Sequence, residues 1–131
     1  MSDKVAFIGL GVMGYPMAGH LAVRDFDVTA FNRNGARAED WVGEHKGAIA
    51  STPKDAASGA DIVFACVGDD DDLREVTLGE VGILAGMASG SVFVDHTTAS
   101  ADVAREIHSI AKKRGLGFID APVSGGQAGA E

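Results

Sequence analysis

Short apolar runs alternate along this chain with stretches whose apolar residues recur three or four positions apart. Val5–Ile8 is continuously apolar and ends at Gly9, as a strand buried on both faces would. Beyond the glycines, Met13, Met17 and Leu21, with Ala18 and Ala22, keep helical spacing. Pro16 falls in the first turn of that helix, where a missing N–H costs little. Val28–Phe31 reads as a second strand, and Asn34 is placed to cap a helix carrying Ala38, Trp41 and Val42. Ala48–Ile49 is a short third strand, Pro53 opens a short helix ending at Gly59, and Ile62–Val67 is a fourth strand. A helix over Leu73–Leu78 and a strand at Ser91–Asp95 come next. Ser100 caps an amphipathic helix with Val103, Ile107, Ile110 and Ala111, and Gly117–Asp120 is the last strand. Strands without in-out alternation, separated by helices, predict an α/β fold with a doubly wound parallel sheet.

Composition narrows the picture. A chain of 131 residues, 46% hydrophobic, suits one domain with a real core. Its 18 glycines sit at the ends of apolar runs, where tight turns fall, and not in a low-complexity tract. A net charge of −8 excludes a nucleic-acid face, which needs clustered Lys and Arg, and an anionic membrane surface. The lone cysteine, Cys66, lies within an apolar run and is expected to be buried and inert. With no internal disulfide, no signal-peptide pattern and no run long enough to span a bilayer, the expected location is the cytoplasm.

The chemistry begins at Gly9-Leu10-Gly11-Val12-Met13-Gly14, a G-x-G-x-x-G between the first predicted strand and the first predicted helix. Alone the pattern is weak, and a glycine turn of a flavodoxin-like domain would produce it; in this context it is the phosphate loop of a Rossmann unit. Gly9 permits the tight turn, Gly11 lets the backbone approach a pyrophosphate, and Gly14 lets the helix pack against the strand. Unpaired N–H groups at the helix start then face the anion. The expected strand order is 3-2-1-4-5-6.

The end of the second strand bears on NAD against NADP. A carboxylate there would accept from the ribose 2′-OH and repel a 2′-phosphate. The chain has Phe31-Asn32-Arg33-Asn34 instead. Arg33 could pair with the phosphate, a contact of roughly 1.5–3 kcal/mol, so NADP is favoured with NAD possible. The competing reading makes Asn32 and Asn34 turn and cap residues and leaves Arg33 solvated.

A second constellation follows the last strand: Asp120-Ala121-Pro122-Val123-Ser124-Gly125-Gly126. A Ser-Gly-Gly turn at the carboxyl end of a strand offers a hydroxyl and approachable amides to a carboxylate, although a flexible glycine turn reads the same way. The two motifs together, the first extended through Tyr15-Pro16-Met17-Ala18, resemble the β-hydroxyacid dehydrogenase family, which includes 3-hydroxyisobutyrate dehydrogenase, tartronate semialdehyde reductase and 6-phosphogluconate dehydrogenase. The resemblance covers essentially the whole chain. It implies that Gly9, Leu10, Gly11, Val12, Met13 and Gly14 hold the pyrophosphate, and that Asn32 and Arg33 meet the adenosine ribose or its 2′-phosphate. It implies that Val67 and Gly68 border the cofactor, that Thr98 of Thr97-Thr98 contacts the nicotinamide side, and that Ser124, Gly125 and Gly126 receive a substrate carboxylate.

The same resemblance exposes two departures. Asp69-Asp70-Asp71-Asp72 is unusually acidic for a loop near a dinucleotide; a solvated helix N-terminus accounts for it, and a metal site is not expected. The family's acid/base lysine stands in a second, all-helical domain, and none of Lys4, Lys46, Lys54, Lys112 or Lys113 matches it. Residues 1–131 are thus expected to be the NAD(P)-binding Rossmann domain of a longer enzyme, with its sheet incomplete at the C-terminal end, no catalytic residue of its own and no turnover alone. The whole protein would transfer hydride between nicotinamide and a small 3-hydroxyacid, as a homo-oligomer. The alternatives are a non-catalytic dinucleotide-binding or interaction domain and an NADPH-dependent imine reductase. His20, His45 and His108 have no metal or triad spacing and are expected to be solvated or capping; His96 is placed to approach the site. Met13 and Met17 read as core, and Trp41 as a half-buried helix anchor.

Overall fold

The computed structural model describes residues 3–122 of the chain. Within the described residues six strands and six helices follow one another, alternating except where α5 comes directly after α4: β1 (Lys4–Ile8), α1 (Gly14–Val23), β2 (Asp27–Phe31), α2 (Gly35–Glu44), β3 (Ala48–Ile49), α3 (Pro53–Ala57), β4 (Ile62–Ala65), α4 (Asp70–Leu78), α5 (Ile83–Gly86), β5 (Val92–Asp95), α6 (Ala101–Lys113) and β6 (Gly117–Asp120). All strand pairs are parallel, in the order β3-β2-β1-β4-β5-β6. This is the doubly wound Rossmann order expected from the phosphate loop.

The strand pattern sets the two cores. Along β1, Ala6 and Ile8 point to one face, where they pack with Ala56 and Ala57 of α3, Leu73 of α4, Ile83 and Leu84 of α5, and Val103 and Ile107 of α6. Val5 and Phe7 point to the other face and meet Ala18 and Ala22 of α1 and Ala38 and Trp41 of α2. Apolar burial on both sides explains why the strand is continuously hydrophobic. It also places a topological switch at β1, whose neighbours β2 and β4 continue the sheet in opposite directions with helices on opposite faces.

The helix starts are chemically marked. Asn34 accepts from the Ala36 amide at 3.1 Å, Thr52 from Asp55 at 3.0 Å, Asp69 from Asp72 at 2.9 Å and Ser100 from Val103 at 3.3 Å. These side chains satisfy amides that a helix leaves without partners. At α1 the N-cap is Met13, which provides no side-chain bond.

Two local features differ from the sequence reading. Helix α5 was not anticipated, because Ile83-Leu84-Ala85 is too short to display a helical period. It packs on α3 so closely that a Cβ on Gly86 would overlap the Lys54 carbonyl. Trp41, expected to be half-buried, is fully buried (0% exposed), covering Gly47 and stacking on His45 at 5.3 Å between ring centroids. Its indole N–H has no acceptor among the described residues. His45 takes the capping place expected for it: it is the C-cap of α2, where its backbone N–H donates to the Trp41 carbonyl at 2.9 Å, and its ring lies over Gly19. No helix among the described residues is long and apolar enough to cross a membrane, and none of their side chains group as a metal site.

Candidate functional site

At the carboxyl ends of β1, β2 and β4 lies a crevice of about 550 Å³. Gly9, Gly11, Val12, Met13 and Gly14 line it from the first loop, Asn32, Arg33 and Asn34 from the end of β2, and Cys66, Val67 and Gly68 from the end of β4. Ser51, Thr52, Asp72, Glu75 and Val81 complete the far wall.

The three loop glycines have separate physical reasons. Gly9 has φ +98°, and a Cβ there would run into the Cys66 carbonyl. A Cβ on Gly14 would run into the Gly9 carbonyl, so α1 can lie this close to the turn only without one. Around Gly11 a Cβ would meet nothing within 4 Å. The protein does not fill the space beside Gly11, and the crevice opens there.

The loop is held from beneath. The Gly9 amide donates to the Phe31 carbonyl at 2.9 Å, and the Leu10 amide donates to Asn32 Oδ1 at 2.9 Å. Arg37 Nε donates to the Leu10 carbonyl at 2.6 Å, with a longer contact from its terminal nitrogen to the Gly11 carbonyl at 3.5 Å. The guanidinium also lies 4.2 Å from the centre of the Tyr15 ring, within cation–π range. The amides of Gly11, Val12 and Met13 have no acceptor among the described residues. They sit at the uncapped start of α1, where the helix dipole favours an anion.

Several expected site residues take specific places. Leu10 is buried beneath the loop and does not line the crevice. Asn32 spends its side chain on the Leu10 amide and, through Nδ2, on the Asn34 carbonyl at 3.1 Å. Arg33 lines the crevice but is paired across it, with Asp72 at 3.1 Å and Glu75 at 3.7 Å. Thr98 is exposed and does not line the crevice. Ser124, Gly125 and Gly126 lie outside the described residues.

Beside the crevice, Asp95 at the end of β5 organises the next loop. It is 1% exposed; Oδ1 accepts from the Thr97 amide at 2.9 Å, and Oδ2 has no partner among the described residues. Burial raises its pKa above the ordinary aspartate value, although the Thr97 bonds oppose the shift. Thr97 Oγ1 in turn accepts from the Val67 amide at 3.1 Å, which ties the loop after β4 to β5. His96 stacks on Phe64, and its Nδ1 lies 2.8 Å from the Ala121 carbonyl oxygen. Cys66, expected to be buried, is only partly so, because its strand ends at Ala65 and Cys66 lines the crevice; desolvation still pushes its thiol up. The acidic run forms the expected helix N-terminus but is only partly solvated: Asp69 caps α4, Asp70 Oδ1 accepts from the Ser100 amide at 2.8 Å, and Asp72 pairs with Arg33. Those hydrogen bonds from Ser100 lower the Asp70 pKa.

Sequence reasoning missed Arg37 and Asp95. Arg37 is four residues past Arg33 and reads as one more helix cation until the fold brings it under the loop. Asp95 reads in the sequence only as the last residue of a strand; a carboxylate at the inner end of an apolar strand was the available signal.

Comparison with known proteins agrees with this geometry. A family model described as the NAD binding domain of 6-phosphogluconate dehydrogenase matches residues 4–131. A protein of Shewanella frigidimarina, described as an uncharacterized oxidoreductase, is 66% identical over 128 residues, covering 98% of this chain and 44% of its own. The structure of Mycobacterium tuberculosis 3-hydroxyisobutyrate dehydrogenase with L-serine superposes with a TM-score of 0.88 at 31% identity, over 98% of this chain and 43% of that one. Psf3 in complex with NADP+ and 2-OPP also reaches 0.88, at 28% identity, over 95% of this chain and 44% of that one. The chain spans less than half the length of the relatives it matches. By its fold, its phosphate loop and these matches, the chain belongs to the family described as the NAD binding domain of 6-phosphogluconate dehydrogenase.

Proposed function

We propose that residues 1–131 form the NADP(H)-binding domain of an enzyme that interconverts a small 3-hydroxyacid and its carbonyl partner. The observation that carries the reading is the open wall of the first loop: the amides of Gly11, Val12 and Met13, without an acceptor among the described residues, beside a glycine whose missing Cβ leaves the crevice clear. That arrangement suits a pyrophosphate, whose oxygens need donors and whose bulk needs the space. Gly9 and Gly14 shape the turn, and Leu10 anchors it through both its amide and its carbonyl. Val67 and Gly68 border the cofactor, and Thr97 holds their loop in place. The cofactor supplies hydride chemistry; this chain's residues bind and orient it.

NADP is preferred over NAD because Arg33 reaches the crevice mouth and the β2 end carries Asn32 in place of a carboxylate. The solved Psf3 complex contains NADP+, which supports this choice. Ser124, Gly125 and Gly126 receive the substrate carboxylate, and Thr98 faces the nicotinamide side. No lysine lines the crevice among the described residues, so the proton transfer of the reaction falls outside this set of residues. In the whole enzyme, which we take to be a homo-oligomer, that lysine is contributed by a further domain.

The test is titration of NADPH and NADH followed by nucleotide fluorescence, with the Arg33→Ala variant alongside. The reading expects NADPH to bind more tightly and Arg33→Ala to remove about tenfold of that advantage. A variant with an unchanged NADPH-to-NADH ratio would overturn the choice of NADP. Turnover is tested by screening small hydroxyacids by reduced-nicotinamide absorbance, where activity of residues 1–131 alone would contradict the assignment of the proton donor elsewhere.

A further inference from the structure

We infer that Asp72 and Glu75 on α4 set the cofactor preference of this domain by competing with a 2′-phosphate for Arg33. The inference rests on the reading of Arg33 as the phosphate's partner and adds the residues that restrain it. Arg33 stands at the end of β2, on the wall of the crevice opposite α4. Its guanidinium nevertheless reaches both α4 carboxylates, with 3.1 Å to Asp72 Oδ1 and 3.7 Å to Glu75 Oε2. All three residues line the same crevice. The Arg33 and Glu75 side chains are 69% exposed, so the bridge is free to open, while Asp72 is the more enclosed partner at 26%.

Binding of a 2′-phosphate then has a specific cost. A phosphate monoester carries close to two negative charges at neutral pH. It either displaces the carboxylates from Arg33, leaving two anions beside a third, or shares the guanidinium with them at short range. NADH brings no anion to this position. The two α4 residues therefore penalise NADPH and leave NADH nearly untouched. Sequence order hides this arrangement, because the carboxylates that NAD-binding domains place at the end of the second strand stand here on a helix some forty residues later. Arg33 and the α4 carboxylates pull in opposite directions, and their balance sets the ratio of the two affinities.

The experiment measures both dissociation constants by fluorescence titration for the wild-type chain, Asp72→Asn, Glu75→Gln, the double variant and Arg33→Ala. The double variant should bind NADPH about fivefold more tightly while NADH affinity stays within about twofold. Asp72→Asn should account for the larger part, and the gain should shrink in about 0.5 M salt. Either single variant carries the test if the double variant fails to fold. Unchanged NADPH affinity, or an equal change for both nucleotides, would overturn the inference. The two readings separate cleanly. If Arg33→Ala leaves the NADPH-to-NADH ratio unaltered, the phosphate reading of Arg33 fails. If Arg33→Ala lowers the ratio and the α4 variants do not raise it, only the role of Asp72 and Glu75 fails.

Discussion

The two ends of the crevice hold their shape by different means. Around the glycine loop the backbone is fixed by bonds that are partly or wholly buried: Gly9 to Phe31, Leu10 to Asn32 and to Arg37, and Val67 to Thr97. Around Arg33 the wall is made of exposed charged side chains from two elements, joined by ion pairs that solvent screens. The first construction leaves little freedom and suits a group common to every nicotinamide dinucleotide. The second is adjustable and suits the one group by which the dinucleotides differ. Substitutions at the loop end should therefore move stability or overall affinity, and substitutions at the Arg33 end should move only the choice of nucleotide.

The largest effect that could break this contrast lies within the loop. Gly14→Ala forces a Cβ against the Gly9 carbonyl, and chemical denaturation should register a loss of about 2–4 kcal/mol. Gly11→Ala meets no protein atom, so its stability should stay within about 0.5 kcal/mol of wild type while NADPH affinity falls at least about tenfold. Equal destabilisation by both variants would show that the space beside Gly11 is not reserved for a ligand.

Next in size is Arg37→Ala, which removes the donor to the Leu10 carbonyl and the cation over Tyr15. It should lower stability by about 1–2 kcal/mol and weaken NADPH and NADH in equal proportion. A change confined to NADPH would place Arg37 with the discriminating residues instead.

Asp95 sharpens the contrast through pH. Its folded pKa is raised, so the native state binds its proton more strongly than the unfolded chain does. Stability should then fall as pH rises from the ordinary aspartate value of 3.8 through the raised folded value, and level off above it. Denaturation curves of wild type and Asp95→Asn across that window should diverge as pH increases, with wild type losing ground. Parallel curves would contradict the burial assigned to this carboxyl. The smallest effect is that of Arg33→Ala on stability, expected within about 0.5 kcal/mol because its ion pairs are exposed.

The loop end was readable from sequence because its physics is local. A strand, six residues and a helix start contain the turn, the close contact and the unpaired amides together, so Gly9, Gly11 and Gly14 carry the information themselves. The strand order followed from the same motif and from the continuous apolar runs. The Arg33 end was not readable in the same way. Arg33 and the acidic run at Asp69–Asp72 were each noticed, but their meeting across the crevice depends on how α4 is seated by Leu73 in the core. Asn32, expected to meet the adenosine ribose or its 2′-phosphate, lines the crevice, and its side chain also bonds the Leu10 amide and the Asn34 carbonyl, a local use that a short amide at a strand end does not announce in the sequence. Helix α5 was missed for want of length, and Asp95 because a buried carboxylate with one oxygen unpartnered among the described residues shows itself only once its surroundings are assembled.

The most direct measurement is a two-dimensional amide NMR titration of the chain with NADPH. The backbone signals of Gly11, Val12 and Met13 should show the largest shifts, as free donors acquire phosphate oxygens, while the Leu10 amide, already bonded to Asn32, moves less. Saturation with those three signals unmoved would contradict the account.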